Sequence, residues 1–60
     1  MNARVKTREQ FNEVQHYVDM VREHMDLDQP DEASGWIKAL IEEAEKLQTM
    51  LNRQVKKAAK

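Results

Sequence analysis

The chain has no cysteine, and only one proline and one glycine among its 60 residues. Without cysteine, disulfides and thiolate metal sites cannot support the fold, and nothing points to an oxidising compartment. A single glycine rules out a glycine-rich phosphate loop. The aromatic residues are only Phe11, Tyr17 and Trp36, and none is interleaved with basic residues as a base-stacking platform would require. No segment approaches the roughly 20 apolar residues that span a bilayer. The opening "MNARVKTREQ" lacks the apolar stretch of a signal peptide, so the expected location is cytoplasmic, in a cell or an infected host, with no membrane partner.

Ten basic and eleven acidic residues leave a net charge of -1, which excludes an overall polycation or polyanion and makes charge placement the informative quantity. A domain this small hides only about 60% of the surface its unfolded chain exposes. With disulfides and thiolate metals excluded, a partner chain is the leading remaining support.

Phe11, Val14, Val18, Val21 and Met25 recur at steps of three and four, as do Ile37, Leu40, Ala44, Leu47 and Leu51. Each set occupies a narrow stripe on a helix, about 80° wide for the first. "TREQ" at Thr7 to Gln10 matches a capping box. The expected fold is a single all-α domain over residues 1–60, an antiparallel two-helix hairpin: helix one over about 7–27, a turn at about 28–30, helix two over about 30–58. Lys38, Glu42 and Lys46 form an i, i+4 ladder on the outer face of helix two.

The reversal "MDLDQPDEASGW" at 25–36 resembles a calcium loop until its ligand positions are counted from Asp26. Pro30 then stands at position five, Asp31 where glycine is needed, and Ile37 where the bidentate glutamate belongs. A helix start fits better, with Asp28 as cap, Pro30 in the first turn, and Asp31 and Glu32 at the positive end of the dipole. Gly35 then lies inside the helix at a cost near 1 kcal/mol relative to alanine, unless the helix starts later, at Ser34.

A second set of large side chains flanks both stripes: Tyr17, Met20, His24 and Leu27 on helix one, with Trp36, Ile41 and Met50 on helix two. Apolar residues then cover about 200° of helix one, more than one antiparallel neighbour can bury. These seven residues are the candidates for a partner or dimer interface. A homodimeric four-helix bundle is the expected way to cover them, with a larger protein as the alternative.

Charge is polarised along such a hairpin. Arg4, Lys6, Arg8, Arg53, Lys56, Lys57 and Lys60 gather toward the termini, and Glu23, Asp26, Asp28, Asp31 and Glu32 toward the turn. Two hairpins packed with turns at opposite ends would set acidic turns beside basic ends. This architecture resembles that of the Rop plasmid-copy-control proteins, antiparallel dimers of helical hairpins, in length and topology only. The resemblance implies a nucleic-acid-binding alternative that would use the seven basic residues just named.

Chemistry is sparse. His16 and His24 lack the i, i+4 spacing of a helical zinc pair. The carboxylate pairs lie on solvated faces, and no nucleophile stands beside a base. The expectation is a non-enzymatic protein-binding module without cofactor or metal. It would regulate or inhibit a larger protein by occupying its surface, or serve as a structural assembly piece.

Overall fold

A computed structural model describes residues 3–58, which form two helices, α1 (Ala3–Asp26) and α2 (Pro30–Ala58). They pack antiparallel as a helical hairpin, with no strand among the described residues. None of the described helices is long and apolar enough to cross a membrane.

The chain is already helical at Ala3, so Thr7 does not cap α1 as the "TREQ" pattern suggested. Its hydroxyl accepts a hydrogen bond from Nε2 of Gln54 on α2 instead. A partner on the facing helix thus takes up the oxygen that a helix end would have used.

The reversal has two halves with separate jobs. Asp28 adopts a left-handed conformation, φ 56°. The Gln29 N–H donates to the His24 carbonyl at 2.8 Å and the Asp28 N–H to that of Met25 at 3.0 Å. These six-to-one and five-to-two bonds define a Schellman motif, so Asp28 closes α1 rather than capping α2. The cap position of α2 falls to Gln29, whose carbonyl accepts the first helical bond, from the Ala33 N–H. Pro30 follows in the first helical position and Asp31 and Glu32 in the first turn, as expected. Since α2 begins at Pro30, Gly35 is a true helix-interior glycine, with open space where a Cβ would stand.

Half-buried residues mark where the helices meet: Thr7, Gln10, Val14, Tyr17, Val21 and His24 on α1, and Trp36, Leu40, Glu43, Leu47, Met50 and Gln54 on α2, which also carries the buried Ala33. Both runs have heptad spacing. With Val14 and Leu40 at position a, the d positions are Gln10, Tyr17 and His24 on α1 and Trp36, Glu43 and Met50 on α2.

This seam is not the one the apolar stripes suggested. Phe11, Val18 and Met25, and Ile37, Ala44 and Leu51, fall at position e, one step round each helix. Phe11, Val18, Ile37 and Leu51 keep 41–46% of their surface exposed, and Met25 keeps 65%. Two causes favour the a/d seam. The Trp36 and Tyr17 rings bring large apolar bodies to it, with centroids 5.6 Å apart and planes tilted by 40°. Side-chain hydrogen bonds also cross it, because Nε2 of Gln10 donates to the Glu43 carbonyl at 2.9 Å and to its Oε1 at 3.0 Å.

Candidate docking face

The a and e positions together form one open apolar face of the hairpin. Its terminal half is a groove between the helices lined by Phe11, Leu47 and Leu51, with Arg4 and Arg8 at the rim. The half toward the turn is a groove lined by Val18, Val21, Met25, Ile37 and Leu40, with Arg22 and Asp26 at the rim. Large apolar side chains thus run along the middle of the face, from Phe11 to Met25 and from Ile37 to Leu51, while Arg4, Thr7 and Gln54 continue the same positions at its terminal end.

The molecule is extended and rich in surface. It measures 48 × 16 × 13 Å with a radius of gyration of 14.2 Å, against about 10 Å for a compact domain of this length. Its accessible surface is 5146 Å², about 1,000 Å² above the size trend for a folded monomer of its mass. A standard protein interface buries about 800 Å² per partner. The surplus therefore matches what one interface would remove. Ala33 is the sole buried apolar residue among those described, so the hairpin alone has almost no core.

The seven side chains expected to meet a partner are divided by the fold. Tyr17, His24, Trp36 and Met50 are half-buried in the seam, and Met20 is half-buried beside it. Leu27 and Ile41 are exposed, at 59% and 53%. His24 stacks on the Trp36 indole and His16 meets it edge-on. Much of the ring surface is thereby spent within the chain. Sequence reasoning did not expect Phe11, Val18, Met25, Ile37 and Leu51 to be exposed, because it had placed them in the seam. Their heptad spacing was visible, but the competition between two adjacent seams was not.

The basic residues are also divided. Arg4 and Arg8 edge the apolar face. Lys6, Arg53 and Lys57 surround a small cavity with Thr7, Met50 and Gln54, of which Thr7 and Gln54 also line the terminal groove of the apolar face. Lys56 is exposed, and Lys60 lies outside the described residues.

On the seam, Glu43 also accepts an ion pair from Lys46, Nζ to Oε2 at 3.0 Å. The ladder expected from Glu42 to Lys46 is thus replaced by an i, i+3 pair. The Gln10 amide first, and then Lys46, hold the Glu43 carboxyl below its ordinary range, while Glu43 raises the Lys46 ammonium. No cluster of three or more metal-ligating side chains occurs among the described residues.

No protein-family model, curated protein or solved structure matches the chain. The resemblance to Rop therefore rests on length and topology alone.

Proposed function

We propose that the chain is a non-enzymatic binding module that pairs with a second copy of itself as a four-helix bundle and, in that form, occupies a surface of a larger protein to regulate or inhibit it. The observation that carries this reading is the open a/e face. Five large apolar side chains along it are exposed in a hairpin with almost no core of its own. A half-buried a/d seam beside an apolar a/e stripe on each helix suits a helix with two neighbours, one through a/d and another through a/e.

Sedimentation equilibrium combined with circular dichroism tests the pairing. The expected result is a dimer at micromolar concentration whose thermal midpoint rises with chain concentration. Val18→Asp should shift the chain to monomer and lower that midpoint. A fully folded wild-type monomer at the same concentration would overturn the reading.

The grouping of Lys6, Arg53 and Lys57 around one cavity favours a second reading, nucleic-acid binding through the basic ends. The two separate in a pull-down from native lysate with and without nuclease. A protein partner survives nuclease, whereas a phosphate-backbone partner is lost with it and binds with steep salt dependence.

A further inference from the structure

We infer that the a/e face closes on a second copy with turns at opposite ends, so that the Phe11, Leu47 and Leu51 groove of each chain lies over the Val18, Met25 and Ile37 groove of the other. This inference rests on the dimer proposed above and specifies which surface pairs and in which direction.

A flat two-helix layer can meet its copy face to face about a two-fold axis in two ways. An axis parallel to the helices sets α1 over α2 of the copy, with both turns at the same end. An axis across the helices sets α1 over α1 and α2 over α2 of the copy, with the turns opposed. Both arrangements bury the same apolar stripes and make every facing pair antiparallel. Apolar packing alone therefore leaves direction open, and the charges at the rim decide it.

The 48 Å length of the hairpin is several times the screening length of about 8 Å at physiological salt. Each end is therefore governed by its own charges rather than by the net charge. With turns together, Asp26 on the rim of one chain faces the α2 start of the other, where Asp31 and Glu32 stand. The opposite end would bring Arg4 and Arg8 against the stretch of α2 carrying Arg53, Lys56 and Lys57. With turns opposed, the Arg4 and Arg8 rim lies over the turn half with its Asp26. Arg22 is a cation on that half, set among Glu23, Asp26, Asp31 and Glu32. Like charges meet at both ends in the first arrangement, whereas in the second each basic end meets an acidic one.

The absence of native cysteine makes the test direct. A nitroxide is placed on Gln29→Cys at the turn and, in a separate sample, on Lys57→Cys at the far end. Distances between the two copies are then read by pulsed electron–electron resonance. Opposed turns predict about 35 to 40 Å or more for both labels, the span of a 24-residue helix. Distances of about 20 Å or less at both sites, the span of neighbouring helices, would overturn the direction and leave the dimer standing. Sedimentation of the same labelled samples separates the remaining outcome. A folded monomer with no intermolecular distance would overturn both the direction and the pairing on which it rests.

Discussion

The His24 imidazole lies flat on the Trp36 indole, with centroids 6.1 Å apart and planes within 12° of each other. The same imidazole donates from Nδ1 to Oε1 of Gln29 at 2.8 Å. One side chain therefore ties the last turn of α1 to the cap residue of α2 and to the largest ring in the seam. The contact joins the reversal to the packing of the two helices.

Trp36→Ala should be the most damaging single truncation in the seam. It removes the ring on which Tyr17, His16 and His24 all rest. The expected loss is about 2 to 3 kcal/mol, below the range for a fully buried aromatic because Trp36 is half-exposed. Urea denaturation at fixed chain concentration measures it. A loss under a few tenths of a kcal/mol would show that the aromatic cluster does not hold the seam.

Asp28→Gly should stabilise the hairpin by about 0.5 to 1 kcal/mol, because glycine adopts the left-handed conformation without the steric cost of a Cβ. Ordinary helix-cap reasoning predicts a loss at this position instead. The sign of the shift in thermal midpoint therefore separates a C-terminal closing residue from an N-terminal cap.

Gly35→Ala should also stabilise, by about 1 kcal/mol, since the residue is inside α2 and an added Cβ meets nothing within 4 Å. A destabilising result would mean that another chain comes close at that point. Comparing the variant at low and high chain concentration tests whether such a cost lies in the proposed dimer.

Acid should weaken the fold through Glu43. Its carboxyl titrates below the ordinary carboxylate range in the folded chain because Gln10 and then Lys46 favour its charged form. The stability it supplies is fully present above the unfolded carboxylate value and is lost as pH falls through the lower, folded one. Lys46 runs the other way, raised by Glu43, so its share is lost only as pH climbs through the raised ammonium value. Glu43→Gln should flatten the acid limb of the stability profile, measured by urea midpoints from pH 7 down to pH 3. An unchanged acid limb would place the sensitivity at other carboxylates.

Much of the hairpin was legible before any coordinates. Heptad recurrence of Val14, Val21, Leu40 and Leu47 announces two helices, Pro30 with Asp31 and Glu32 announces the start of the second, and the basic ends and acidic turn are plain in the order of residues. These features are local, because side-chain spacing and helix-end electrostatics act within a turn or two. The close of α1 was not legible, because an aspartate in "LDQP" suits either a cap or a left-handed C-terminal residue. Bonds back to Met25 and His24 decide between them.

The choice of seam belongs to tertiary structure alone. Apolar periodicity favours the a/e stripes, because Phe11, Val18, Met25, Ile37, Ala44 and Leu51 are all apolar whereas the a/d seam carries Gln10, His24 and Glu43. Trp36 against Tyr17 and Gln10 against Glu43, each pair drawn from opposite helices, favour a/d. That leaves Phe11, Val18, Met25, Ile37 and Leu51 facing outward. The sequence by itself determined that this chain has more apolar surface than one helix pair can bury. Which part of that surface stays open depends on the fit of particular side chains across the hairpin, a long-range property that spacing along one helix does not encode.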